Sequence, residues 1–429
     1  MTLYLGIAAL VLAAGSASYA QTFTVLNSNL GSFPRPLIQG TDGSFYGAAS
    51  NEGYAIVRIT PAGVSTTLAT GVYTVAPLVQ ATDGNFYGTN NNTIFRMTPE
   101  GVLTTIHTFD TFDGADPRTA LIQASDGNLY GIANAGGSNS LCGTFFRISL
   151  AGTFKLLFNF GGPSVGCGPT SILQGTDGNF YGSTGALGRS TFFKITRGGV
   201  YSSLNDSVYT LGNVVQATNG NFYGVSAGGA NSYGFVFELT TAGTLTDLFD
   251  FTVATGYDQF TPQFIQATDG NFYGTATSGD NLSCVLTYGT GCGTIFRVSA
   301  GGAFSIVHEF DTPDGGTPAG LFQATNGNLY GTTFQGGAAD NGIFFSLSLG
   351  LAPFVETIPI TASIGTAVTI YGNNLTGATS VSFNGTAASF TVLSATEISA
   401  TVPTGATTGR IEVVTPSATL YSNLKLKVI

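Results

Sequence analysis

Seven times along the chain a run close to Thr-Asp-Gly-Asn-Phe-Tyr-Gly returns, each time just after a glutamine. The cores are Gln39–Gly47, Gln80–Gly88, Gln123–Gly131, Gln174–Gly182, Gln216–Gly224, Gln266–Gly274 and Gln323–Gly331. Between their tyrosines (46, 87, 130, 181, 223, 273 and 330) the spacings are 41, 43, 51, 42, 50 and 57 residues. A period in this range signals a solenoid, a propeller or an array, and no stretch within a period shows helical periodicity.

One period divides into four strand candidates. Pro77–Gln80 is the first, Asn85–Gly88 opens the second, Thr93–Met97 is the third, and the fourth runs from Val102 to Phe109. The third strand is echoed by Thr144–Ile148 and Thr294–Val298. Between the first two stands Asp83-Gly84, replaced by Asn-Gly at 219–220 and 326–327, which predicts a tight type I′ hairpin. Four antiparallel strands in a unit of this length are the arithmetic of a propeller blade. The ends of the array agree with that. The seventh copy stops at its third strand, Gly342–Leu347, while the orphan segment Thr22–Leu26 matches a fourth strand such as Thr244–Leu248. The first segment can then complete the last blade and close the ring, which removes exposed sheet edges.

Within the repeat, Phe and Tyr point to opposite faces of their strand and are expected to fill two blade interfaces. The glycine that follows is expected to admit a neighbouring sheet. The seven glutamines lie on innermost strands. They are read as an inter-blade hydrogen-bond ladder in preference to a polar lining of an axial channel.

The first twenty residues, MTLYLGIAALVLAAGSASYA, form an apolar run without a basic start. They end in Ser18-Tyr19-Ala20, a small-x-small pattern that predicts a signal peptide and a mature chain from Gln21. No other stretch is apolar for long enough to span a membrane. The net charge is −10 with 13 basic residues and no cluster among them, which argues against nucleic acid as a partner. Export makes disulfides available to the four cysteines, and Cys142–Cys167 with Cys284–Cys292 is the favoured pairing of three. CxxC spacing is absent and both histidines are distant in sequence, which argues against zinc.

After about Leu351 the repeat ends and Thr, Ala, Val and Ser dominate short alternating strands, with turns such as Asn384-Gly385. Residues 365–375 (GTAVTIYGNNL), 381–385 (VSFNG) and 398–403 (ISATVP) resemble the IPT/TIG family of immunoglobulin-like domains. That resemblance implies a binding or spacer module of an extracellular protein. The basic loops of its DNA-binding members are not reproduced by Lys425 and Lys427. The repeat region, in the pattern from Asp113-Gly114-Ala115-Asp116-Pro117 through Arg147, resembles the Gloeo/Verruco tandem-repeat proteins over roughly residues 30–350. It implies an exported protein and no particular chemistry. The expected fold is therefore all-β. A signal peptide (1–20) precedes a seven-bladed propeller (21–350), and an immunoglobulin-like sandwich (351–429) follows it.

In a four-stranded blade, the second-to-third and blade-to-blade connections emerge on one face. Length variation falls on these two, in 277–292 and 251–261 for example, so a binding surface is expected there. Acids collect on that face at Asp110, Asp113, Asp116, Asp311 and Asp314. Turn chemistry is the preferred reading of them, with calcium or a cationic partner as the alternative. Tyr257 and Tyr288 on long loops are candidates for stacking on a sugar. His107 and His308 occupy equivalent fourth-strand positions and are assigned to packing. No nucleophile, zinc or phosphate motif occurs, so no catalytic residue or cofactor is assigned. The function read from this is a non-enzymatic binding protein of the envelope or extracellular space. A glycan or envelope protein would be its partner, with a polysaccharide-acting enzyme as the alternative.

Overall fold

The computed structural model describes residues 21–429 apart from 32–34, 50–53, 75, 140, 163–164, 187–189, 211, 257–263, 280–283 and 285–290. The predicted leader, Tyr257 and Tyr288 therefore lie outside the described residues.

The described residues are almost wholly strand. Across the repeat they form seven antiparallel sheets of four strands each. The second sheet is representative, with Val79–Gln80, Phe86–Asn90, Thr93–Met97 and Leu103–Thr108 in sequential order. The seventh takes Gly316–Gln323, Leu329–Gln335 and Phe344–Ser348 from the end of the array and Thr22–Asn27 from its start. Thr22 pairs with Ser348 and Val25 with Phe345, so the N-terminal segment supplies the strand that the last copy lacks.

Hydrophobic clusters join each sheet to the next, and the seventh to the first. Phe45 and Val57 share a core with Tyr330 and Phe344, as Tyr130 and Phe145 do with Phe180 and Phe193. The Phe-Tyr dipeptide builds these seams. Tyr46 lies 4.2 Å from the ring of Phe86 in the next sheet, Tyr181 4.5 Å from Phe222, and Tyr223 4.2 Å from Phe272. Where a copy reads Leu-Tyr, leucine takes the place of the phenylalanine, as with Leu129 beside Tyr87. Such contacts add a geometric preference to the burial of large apolar area.

The glutamines tie the seams together along the inner strands. Thr41 N–H donates to Gln80 Oε1 at 2.9 Å, Thr218 N–H to Gln266 at 3.0 Å, and Thr325 N–H to Gln39 at 2.9 Å. The last bond links the seventh sheet to the first. The amide end of Gln80 turns back to the Gly84 carbonyl at 3.1 Å, as those of Gln266 and Gln323 do to Gly270 and Gly327. The glutamines therefore form the expected ladder.

Two local expectations need correction. The Asp-Gly turn is not a two-residue type I′ hairpin, because the glycine alone has positive φ (Gly84, +79°) and the paired residues Gln80 and Phe86 enclose five residues. Gly84 N–H closes the turn on the Ala81 carbonyl at 2.9 Å. This wider turn leaves the aspartate free to work. Asp83 Oδ1 accepts Asn85 N–H at 3.1 Å, and its Oδ2 accepts the Tyr87 hydroxyl at 2.8 Å. The glycine after the tyrosine, moreover, makes room within its own sheet. A Cβ on Gly88 would stand 2.8 Å from the ring of Phe95, its partner on the third strand.

The turn acid has a partner on the third strand, opposite the tyrosine in register. Arg58 lies opposite Tyr46 and reaches Asp42 at 2.8 Å, and Lys194 lies opposite Tyr181 and reaches Asp177 at 2.9 Å. In the fifth copy Asn219 replaces the acid and Glu238 replaces the base, and Glu238 now accepts the Tyr223 hydroxyl at 2.5 Å. In the seventh both charges are gone, as Asn326 and Ser346. The substitutions compensate, as coupled sites do.

Residues after Leu351 form two more four-stranded sheets around one core that includes Val368, Ile370, Val381, Phe383, Ile398, Ile411 and Val413. This sandwich rests on the hairpin turns of the ring. Phe354 N–H donates to the Thr325 carbonyl at 3.0 Å and Thr268 Oγ1 to the Ala352 carbonyl at 3.1 Å. Asn423 Nδ2 donates to the Gln266 carbonyl at 3.4 Å, and Lys427 Nζ to the Thr176 carbonyl at 3.3 Å. Thr396 meets the turn at Gly43. These turns belong to the first, fourth, sixth and seventh sheets, so the sandwich reaches across the ring on that side.

Two outcomes test this account. Asn219→Asp alone sets a carboxylate beside Glu238, and Glu238→Arg alone removes the acceptor of Tyr223. Together they restore the pattern of the other copies, so urea unfolding should show a favourable coupling of at least about 0.5 kcal/mol. Additive losses would sink the compensation. The second test uses pH. Burial acts to raise the Asp177 carboxyl, but donors from Asn179, Lys194 and Tyr181 outweigh it and hold the group well below the usual carboxylate range. Its stabilisation is complete above the unfolded value of about 4 and lost as pH falls below it. Between about pH 4 and pH 2 the wild type should lose stability more steeply than Asp177→Asn; parallel curves would refute the assignment.

Candidate functional site

The sandwich covers the hairpin-turn side of the ring, and the face opposite collects the second-to-third and sheet-to-sheet connections. Among the described residues these connections, with the strand ends that enter them, hold nine carboxylates and only two arginines, whereas the rest of residues 21–351 hold eight and seven Lys or Arg. This excess of seven carboxylates accounts for most of the net charge of −10.

The predicted acids are brought to this face in two equivalent loops. Asp110 N–H donates to Asp113 Oδ1 and Asp113 N–H to Asp110 Oδ1, both at 2.9 Å. Asp311 and Asp314 repeat the exchange at 2.7 and 3.0 Å. Each pair is a closed turn in which carboxylates satisfy backbone donors. Asp116 stands at φ +55°, and its counterpart Thr317, also before a proline, stands at +54°. The shared backbone conformation, not a charge, defines that position. Asp116 also reaches Arg118 Nε at 2.6 Å. Among the described residues no group of three or more His, Cys, Asp and Glu side chains is placed to hold a metal ion.

The histidines join these loops. His107 Nε2 lies 3.0 Å from Asp113 Oδ2, and His308 Nε2 lies 3.0 Å from Asp314 Oδ2. Neither ring N–H is aligned for a good hydrogen bond, so ring and carboxylate meet by close approach alone. Each imidazole stacks at 3.8 Å on a phenylalanine of the next sheet, His107 on Phe154 and His308 on Phe23. Packing was legible from the equivalent positions; the carboxylate contact needed the loop to fold back over the strand end. Desolvation first, and then the nearby Asp110 charge, act to raise the Asp113 carboxyl, and its net value is above the ordinary one.

Both expected disulfides are formed. The Cα atoms are 4.5 Å apart in Cys142–Cys167 and 5.6 Å in Cys284–Cys292. The first ties a loop of the third sheet to the inner strand of the fourth, and Gly168 N–H reinforces it by donating to the Cys142 carbonyl at 2.8 Å.

Several residues on this face were not singled out from sequence. Phe112, inside the Asp110–Asp113 turn, is 75 % exposed, and Leu141 beside Cys142 is 57 % exposed. The signal for Phe112 was present, because the equivalent loop carries Pro313 between the same two acids. Tyr73, Thr89, Asn91, Asp116, Pro117 and Arg118 enclose a cavity of about 90 Å³, well below the roughly 300–1,000 Å³ of small-molecule sites. Chemically the face offers negative charge and a few exposed apolar side chains on a rigid support. Breaking its anchor with Cys142→Ser/Cys167→Ser should lower stability by roughly 2–4 kcal/mol, read as a fall in melting temperature. An unchanged melting temperature would rule out a structural role for the bridge.

The comparisons with known proteins agree with the geometry. No curated protein matches the sequence. Among solved structures, a streptogramin B lyase is similar with a TM-score of 0.57 at 14% identity, over 77% of this chain and 98% of its own. Virginiamycin B lyase from Staphylococcus aureus gives 0.55 at 15% identity, over 77% of this chain and 99% of its own. The extracellular domain of a hybrid two-component system from B. thetaiotaomicron gives 0.52 at 11% identity, over 82% of this chain and 46% of its own. At these identities the likeness shows the fold alone: all-β and propeller-like. The Gloeobacter/Verrucomicrobia repeat model matches residues 10–193 and 183–392. The chain belongs to the Gloeobacter/Verrucomicrobia repeat family.

Proposed function

We propose that this is an exported, non-enzymatic binding protein of the bacterial envelope or extracellular space. In this reading a seven-bladed propeller presents its loop-rich face to a cationic partner, an envelope protein or an amino-bearing glycan. The carboxyl-terminal sandwich, an immunoglobulin-like module of the IPT/TIG kind, supports the ring from the other side. The observation that carries the reading is the concentration of charge, nine carboxylates against two arginines among the described residues of the face left open. Such a surface steers and selects a partner of opposite sign. Two disulfides and an extracellular domain among the similar folds support export, and no helix among the described residues is long and apolar enough to cross a membrane. The alternative of a polysaccharide-acting enzyme gains no support from the acids described, whose carboxylates are engaged by turn donors, histidine or arginine.

The full chain, immobilised, should retain basic proteins or chitosan from envelope fractions and release them near 0.5 M salt, since surface charge pairs are screened within about 10 Å at 0.1 M. Phe112→Ala should weaken retention several-fold, as loss of an exposed aromatic anchor does. Retention that ignores salt, or products released from polysaccharide by the chain itself, would overturn the proposal.

A further inference from the structure

The carboxyl-terminal sandwich carries a groove that the ring does not use. The sheet made of Ser380–Phe383, Thr386–Ala387, Ile411–Val414 and Thr419–Tyr421 turns Val381, Phe383, Ile411, Val413 and Leu420 into the core. The alternate residues face outward, and register sets Ser382 beside Glu412 and Glu412 beside Tyr421 in one row across three strands. Around this row lies a concavity of about 600 Å³, also lined by Asn384, Thr408, Arg410 and Lys425. That is the size of a site for an oligosaccharide-sized ligand and far more than a small anion needs.

The wall of the groove is built. Asn384 and Gly385 form the two-residue turn between paired Phe383 and Thr386, both at positive φ (47° and 85°). Asn384 Nδ2 is held by Thr407 Oγ1 at 2.8 Å. A Cβ on Gly409 would meet the Asn384 side chain at 2.2 Å, so the wall closes only over glycine.

The charges point to the ligand. After residue 351 the chain has three acids and three bases. Lys427 is spent on the ring and Glu356 on the Tyr371 hydroxyl. Arg410 and Lys425 are exposed, line the groove, and form no ion pair among the described residues. In a protein with 13 Lys and Arg in 429 residues, two unpaired cations in one groove favour an anion. The other lining groups are hydroxyls, an amide and a carboxylate, with one aromatic ring, Tyr421, 46 % exposed. This lining suits a hydroxyl-rich ring. It lacks the apolar anchor pocket that a peptide would fill, and two cations are too few for the run of phosphate contacts that a nucleic acid needs.

We propose that this outer face of the sandwich binds a carboxylated polysaccharide of the uronic acid class. The sugar carboxylates meet Arg410 and Lys425, a pyranose face stacks on Tyr421, and hydroxyls bond to Ser382, Asn384 and Glu412. The site is separate from the acidic loop face and selects ligands of opposite charge to it.

The experiment is affinity electrophoresis and calorimetry of the full chain with polygalacturonate, alginate and hyaluronan, against dextran and hydroxyethylcellulose. Retardation by at least one polyuronate and by neither neutral polymer is expected. Arg410→Gln, Lys425→Gln and Tyr421→Ala should each weaken it about tenfold or more, while Phe112→Ala leaves it unchanged. The three side chains are exposed, and thermal melts of the variants check that folding is kept. The proposal is overturned by absence of binding across the polyuronates, by equal binding of neutral polymers, or by binding that survives Arg410→Gln and Lys425→Gln together. A response to Phe112→Ala instead would move the site to the loop face.

Discussion

Among the described residues one side chain joins six of the seven inner strands to the turn of the sheet before: a glutamine whose oxygen accepts a threonine N–H there and whose amide, as in Gln80, returns to the carbonyl of its own turn. The bond from Thr325 to Gln39 is the same bond made between the last sheet and the first, so the two ends of the array are held by the chemistry that holds its middle. The wider seams then fill with Phe and Tyr, and the N-terminal strand completes the seventh sheet. The N-terminal strand thereby covers the edge that Phe344–Ser348 would otherwise leave open for pairing with another chain.

This use of the hairpin turns divides the molecule into faces with different tasks. Threonine and aspartate on the turn side are occupied by glutamine, tyrosine and the docked sandwich. The connections on the other side carry no such duty. They vary in length, gain two disulfides and accumulate carboxylates. The turn side stays near charge balance because its acids are matched by bases on the third strands, so excess charge is left to the loops.

Much of this was legible in the chain. The repeat spacing, the third strands Thr93–Met97 and Thr144–Ile148, the exchange of the terminal strand and both cysteine pairs all stand in the structure as read. Periodicity and composition carry that information because each unit must bury the same face in the same way. The turn was misjudged for a physical reason. Asp-Gly was read by its backbone preference alone, whereas the aspartate adopts the conformation that lets it accept the tyrosine hydroxyl four residues on. The glycine after the tyrosine was assigned to the wrong neighbour, because a sequence does not say which ring, within the sheet or beyond it, will lie over a missing Cβ.

The sequence by itself determined the number of repeats, the strands within each, the partner of the orphan first strand and the acidity of the whole. These follow from local pattern and covalent order. Only the tertiary structure decided that the acids of the two Asp-x-x-Asp loops turn inward on each other's backbone, that histidines lie against them, and that Arg410 and Lys425 share a groove with Tyr421. It also decided that the sandwich sits on the hairpin turns and so leaves the loop-rich face open. Those outcomes depend on contacts between residues tens to hundreds of positions apart, whose geometry appears only once the sheets close around one another.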